Sequence, residues 1–249
     1  MENIGAAACE AGSGRTESST TEVLPGGFAY ARAADVGIPR RQLLWYLGCR
    51  GQDPGPAVDR KIAKVCGELE KNADPALFYL RFPLERDPRG YPVIAGVRIP
   101  SENLRKNLAG CGSVLLLAAT LGAATDRLLY RYGQTDVAGQ AVLQAASAAL
   151  LEAFLDREQD RARAQAAKEG LYLRPRFSPG YGDFALESQR WIFDLLKPDK
   201  RLGITLTSGL LMIPSKSVTA LAGLSKKDIG CRKNGCEECA LKACAFRRE

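Results

Sequence analysis

Along the chain the mix of apolar and polar positions changes character at about residue 28. Residues 1–27 are mostly Gly, Ala, Ser, Thr and Glu, a composition that buries too little surface to order itself, so a disordered N-terminal tail is expected there. From Pro39 onward, Leu43, Leu44 and Leu47 make an apolar helical stripe, with Pro39 suited to a first helical position and Gly48 a natural stop. Beyond a Gly/Pro/Asp loop, Val58, Ile62, Val65 and Leu69 recur at helical spacing on one face of a second helix. Phe78, Leu80, Phe82 and Leu84 then alternate with Leu77, Tyr79 and Arg81, the signature of a strand with one strongly buried face. Asp87-Pro88-Arg89-Gly90 reads as a turn, with Tyr91 to Ile99 returning as the second strand of a hairpin.

Ser101 is placed to cap a short helix running through Leu104 and Leu108. The apolar run from Val114 to Leu117 fits a buried strand, Thr120 to Tyr132 a helix, and residues 136–168 the longest helix of the chain. After Gly170 the sequence turns rich in Pro and Gly, followed by a helix from about Leu186 to Leu196 and a strand from Ile204 to Thr207. Helices and strands mix without a repeat and without regular βαβ alternation, so the expected class is α+β.

With 249 residues, 46% of them apolar, the chain is long enough for one large domain, or for a domain with small appendages. Its longest apolar run, from Val114 to Ala119, falls far short of the ~20 residues that cross a bilayer, and the N-terminus lacks the order of a secretory signal. A soluble cytoplasmic protein with no membrane partner is expected. Net charge is +7, and seven basic residues against four acids lie from Lys226 to the end. Such a tail is either a solvated surface or an attractor for phosphates or an acidic protein face. No interleaved aromatics accompany it, so nucleic acid is not an expected partner. The absence of His rules out a Ser-His-Asp or Cys-His nucleophile and any His-ligated metal. Chemistry here must come from a bound cofactor, thiols or carboxylates.

No Gly-rich dinucleotide element and no phosphate-cradling loop is present. Two features remain. Glu152 shares a helical face with Ala145, Ala148, Ala149 and Leu155, so it is either a boundary residue reaching for water or part of a floor that a flat ligand could approach. Arg176, Gly180 and Tyr181 stand in a loop stiffened by Pro175 and Pro179. Arg offers a rigid fork for a carboxylate and Tyr a flat face, although a structural Arg in a surface loop explains the pattern equally well.

The order of motifs shifts the balance between these readings. Arg176-Phe-Ser-Pro-Gly180-Tyr181, a helix ending Phe193-Asp-Leu-Leu, then Leu206-Thr207-Ser208 and Met212-x-Pro214-x-x-Ser217-Val218, resembles the activation domain of cobalamin-dependent methionine synthase. Upstream, Leu151-Glu152-Ala153-Phe154 is similar to that family's Ala-Glu-Ala-Phe helix, and the match spans roughly residues 36–225. The resemblance implies a curved, mostly antiparallel sheet flanked by helices, in a domain covering residues 28–225. It also implies binding of S-adenosylmethionine, whose methyl group traps the reduced cobalt as methylcobalamin when a synthase's cobalamin has been oxidised. Carried over by position, Arg176 pairs with the methionyl carboxylate and Glu152 with the ammonium, while Tyr181 and the backbone near Gly180 line the sulfonium and adenosine. The implied partner is a separate methionine synthase that lacks its own activation domain, with a flavodoxin or ferredoxin as electron donor. The chain would then be an accessory component of methionine biosynthesis, its active site completed by the partner's cobalamin. Departures occur after Tyr181, where Gly182-Asp183-Phe184-Ala185 replaces the family's Pro-Ala-Cys-Pro, and at Gly209, which follows Ser208 where Glu-Ser is usual.

Outside that match, in the segment 226–249, Cys231, Cys236, Cys239 and Cys244 crowd within fourteen residues. Four thiols at this spacing suit a zinc ion or an iron–sulfur cluster, with reduced thiols or a regulatory disulfide as the alternative. A self-sufficient redox or electron-transfer protein built on those cysteines is the competing functional reading.

Overall fold

The computed structural model describes residues 24–49 and 53–228. The chain enters as β1 (Leu24–Tyr30), passes through α1 (Ala33–Val36), α2 (Arg40–Tyr46) and α3 (Pro56–Asn72), and reaches β2 (Ala76–Pro83). Small strands β3 (Glu85–Arg86), β4 (Pro92–Ile94) and β5 (Val97–Arg98) precede α4 (Glu102–Asn107) and the long β6 (Cys111–Thr120). Helices α5 (Ala123–Thr135) and α6 (Val137–Lys168) lead to β7 (Tyr172–Leu173), and α7 (Gln189–Leu196) and α8 (Pro198–Leu202) follow a long loop. A two-stranded ribbon of β8 (Thr205–Leu206) and β9 (Met212–Ile213) feeds the last strand, β10 (Ser217–Ser225).

The main sheet is antiparallel with order β1-β2-β6-β10-β7, and it curls into a half-barrel flanked by helices. Because side chains alternate along a strand, it buries two different faces. Leu77, Leu117, Ala119 and Ala220 face α2, α3, α5 and α6. Phe78, Phe82, Leu116 and Leu221 face α4, α7 and α8. The small residues Ala119 and Ala220 let α6 come close with its own Ala145, Ala146 and Ala149, all 6% exposed or less. By length and composition α6 could span a bilayer, but it packs against α2, α3, α5 and β7, the arrangement of a core helix.

Several expectations meet local differences. β1 begins at Leu24, inside the stretch expected to be a disordered tail, while residues 1–23 lie outside the described residues. Tyr91–Ile99 is not one strand paired with β2. Ala95 (φ 50°) and Gly96 (φ 78°) turn the chain midway, so β4 and β5 form their own small sheet with β3. Val58 belongs to α3 but stays exposed, whereas Ile62, Val65 and Leu69 are buried as their spacing requires. The Ser101 hydroxyl caps α4 by accepting from Leu104 N–H at 3.0 Å. The strand beginning near Val114 extends from Cys111 to Thr120 and lies in the sheet's centre.

Candidate functional site

Helix α6 presents Glu152, Asp156 and Gln159 at intervals of four and three residues, so all three share one face. Opposite them stands the loop between β7 and α7. Its path is fixed by main-chain bonds to β10: Arg174 N–H donates to Gly223 O at 2.8 Å, and Phe177 exchanges two bonds with Leu221 at 2.8 and 2.9 Å. Phe184 anchors the far side, 1% exposed and stacked against Phe177 with ring centres 6.1 Å apart. Gly180 donates to Phe184 O at 2.7 Å from a φ of 92°, and Gly182 takes a φ of 56°. A Cβ at Gly182 would lie 2.1 Å from the Asn103 side chain. Glycine meets both demands there without strain and without displacing the Asn103 amide.

The departure at Asp183 has a structural role. Its carboxylate accepts from Ser101 Oγ at 2.5 Å, Glu102 N at 2.7 Å and Asn103 N at 3.1 Å, so the loop is pinned to the N-terminus of α4. Burial pushes the Asp183 carboxyl up, but these three donors together outweigh it and hold its pKa below the usual carboxylate range.

Held in this way, Arg176 reaches α6. Its guanidinium donates to Glu152 at 3.2 Å, Asp156 at 2.9 Å and Gln159 at 3.0 Å. The Arg176 side chain is only 16% exposed, against 41% for Glu152 and 67% for Asp156. A cleft of about 390 Å³ opens beside this cluster, with Glu152 and Gln159 on one wall, Arg176 and Tyr181 on another, and Gln189 and Thr219 deeper in. That volume lies within the ~300–1,000 Å³ range of small-molecule sites. Tyr181 is 66% exposed and leaves its ring face open to a ligand. A second cavity of about 470 Å³ lies between α6 and the sheet, and Leu155, Gln159 and Arg176 line both.

Glu152, Arg176 and Tyr181, distant in sequence, therefore share one cleft, and Gly180 shapes the loop beside it. The alanines around Glu152 do not form its floor: Ala145 and Ala149 are in the core, and Leu155 and Gln159 take that place. Asp156, Gln159, Gln189 and Thr219 were not legible as site residues. Spacing from Glu152 was the one available signal, and it applies only to the first two. Cys231, Cys236, Cys239 and Cys244 lie outside the described residues. Among the described residues no group of three or more metal-ligating side chains occurs, and Cys49, Cys66 and Cys111 are outside any disulfide.

No protein-family model matches the chain, and neither does any curated protein. Among the solved structures that match is the crystal structure of the MetH reactivation domain bound to AdoHcy, with a TM-score of 0.61 and 17% identity. The alignment covers 82% of this chain and 79% of that one. A likeness of this extent at such low identity establishes the fold, that of the methionine synthase activation domain: α+β, with a curved antiparallel sheet flanked by helices.

Proposed function

We propose that this chain binds S-adenosylmethionine between Glu152 and Arg176 and acts as an accessory activation subunit for a separate cobalamin-dependent methionine synthase. The observation that carries the reading is the direct contact of Arg176 with Glu152 at 3.2 Å inside a ligand-sized cleft. An amino-acid headgroup carries the same two charges as this pair. Its carboxylate replaces Glu152 on the Arg176 fork, and its ammonium replaces Arg176 on Glu152. Both protein charges keep a partner throughout, which avoids the cost of an uncompensated half-buried charge. Asp156, 2.9 Å from Arg176, holds the guanidinium in place during the exchange. The open ring face of Tyr181 suits the sulfonium through cation–π attraction. The MetH domain of the same fold was crystallised with AdoHcy, the demethylated product of such a ligand.

When bound, S-adenosylmethionine would supply a methyl group to reduced cobalamin on the partner, leaving its own sulfur as the thioether. The residues of this chain position the sulfonium at the mouth of the cleft and carry no proton in that step. The electron comes from a donor such as flavodoxin or ferredoxin. Release of the corrin for turnover calls for a transient complex.

Titration calorimetry with S-adenosylmethionine tests the binding half. Wild-type protein is expected to bind one equivalent, Arg176→Met at least ~30-fold more weakly, because a charge-assisted bidentate contact contributes about 2 kcal/mol or more. Equal binding by both proteins, or none by the wild type, overturns the reading. The partnership is tested by adding the chain and a reductant to an oxidised synthase that lacks its activation region, where restored turnover is the expected result.

A further inference from the structure

Two polar atoms deep in the cleft have no use within the fold. Gln189 opens α7 and is 6% exposed, and Thr219 lies on β10 at 1% exposed. Gln189 Oε1 and Thr219 Oγ1 find no hydrogen-bond partner among the described residues, although both side chains line the cleft. Their neighbours in the same elements, Ile192, Leu196 and Leu221, are fully buried apolar residues of one core cluster. A buried acceptor left without a partner destabilises the fold, a cost that an apolar side chain does not carry. Polar atoms retained at that cost mark where a ligand completes the bonding.

We infer that Gln189 and Thr219 form the purine-reading end of the cleft, with Gln189 Oε1 accepting a hydrogen bond from the exocyclic amine of an adenine ring. The inference rests on the adenosyl ligand proposed above. A glutamine amide places an acceptor beside a donor, the complement of the amine and ring nitrogen on an adenine edge. Thr219 adds more than its hydroxyl. Leu221 exchanges both main-chain bonds with Phe177, and by the alternation of an antiparallel strand Thr219 turns its own N–H and C=O toward the same edge. Pro179 and Met212, which line the same cleft, supply apolar surface for the faces of the ring. The cleft thus divides its labour: Arg176 and Glu152 select an amino-acid headgroup, and Gln189 and Thr219 select the base.

Calorimetry with two ligands tests this division: S-adenosylhomocysteine and its analogue with hydrogen in place of the 6-amino group. Wild-type protein is expected to bind the analogue about tenfold more weakly, the effect of one lost hydrogen bond at a buried acceptor. Gln189→Met, which keeps the volume, should lose about tenfold for S-adenosylhomocysteine and nothing further for the analogue. Thr219→Val should weaken both ligands alike. Equal wild-type affinity for the two ligands, or an unchanged ratio in Gln189→Met, overturns the inference while leaving the adenosyl reading intact. Should Gln189→Met not fold, the wild-type comparison alone decides. Failure of the wild type to bind either ligand removes the adenosyl reading and this inference together.

Discussion

Replacing Arg176 by Met removes the guanidinium and keeps most of the apolar stem, so the effect on stability follows from three lost bonds. Two go to carboxylates that are 41% and 67% exposed, and each such screened pair contributes about 0.5–1 kcal/mol. The bond to Gln159 at 3.0 Å adds about 1 kcal/mol. Without Arg176, Glu152 and Asp156 are left as like charges four residues apart on α6, which costs a further ~0.3 kcal/mol. The sum is roughly 2–3 kcal/mol, a fall in Tm of about 4–12 °C for a domain of this size. Thermal unfolding followed by circular dichroism reads this directly. In 1 M salt, where the screening length falls to about 3 Å, the difference should shrink. Adding Asp156→Asn to the variant should recover a few tenths of a kcal/mol by removing the repulsion. A Tm within 1 °C of wild type at low salt would mean that the cluster does not hold the loop to α6 in solution. In the same melts S-adenosylhomocysteine should raise the wild-type Tm with the logarithm of ligand concentration above its Kd, and raise that of the variant far less at equal concentration.

Other consequences are cheaper to check. Tyr181→Ala should leave the unfolding free energy within ~0.5 kcal/mol of wild type, since the ring is 66% exposed, yet weaken S-adenosylmethionine binding several-fold by calorimetry. Asp183→Asn should cost about 1 kcal/mol at neutral pH, a figure already discounted for its exposure. Because the folded carboxyl titrates below its unfolded value, that contribution is fully present above about pH 5. It disappears as the pH falls below about 4 through the depressed value, so urea-unfolding curves of the two proteins should converge in acid. Burial, followed by the nearby Glu70 carboxylate, pushes the Cys66 thiol up from 9.0 to about 11. Iodoacetamide at pH 8 should therefore label Cys66 roughly 100-fold more slowly than an unperturbed thiol, as read by peptide mass spectrometry.

Amphipathic helices and the β2 strand were legible because one face of each is apolar at a clear period: Ile62, Val65 and Leu69 on α3, and Phe78 and Phe82 on β2. β10 was not, since it is buried on both faces and Val218-Thr-Ala-Leu-Ala-Gly-Leu224 therefore shows no alternation. β1 carries Pro25, Gly26 and Gly27, residues that argue against a strand. Gly26 is needed because a Cβ there would lie 2.4 Å from Tyr79 O, and the pairing shifts register between Leu24 and Gly27. Within the site, Arg176 and Glu152 were singled out by an ordered set of motifs, and the structure brings their side chains to 3.2 Å. Gln189 and Thr219 could not be found in this way. A polar residue is unremarkable in sequence, and only its burial without a partner makes it informative.

A crystal structure of the protein with S-adenosylhomocysteine measures the central claim most directly. The account predicts the ligand's carboxylate on Arg176, its ammonium on Glu152, and the 3.2 Å contact between those side chains opened. A ligand bound elsewhere, or an Arg176–Glu152 pair still closed beside it, would contradict it.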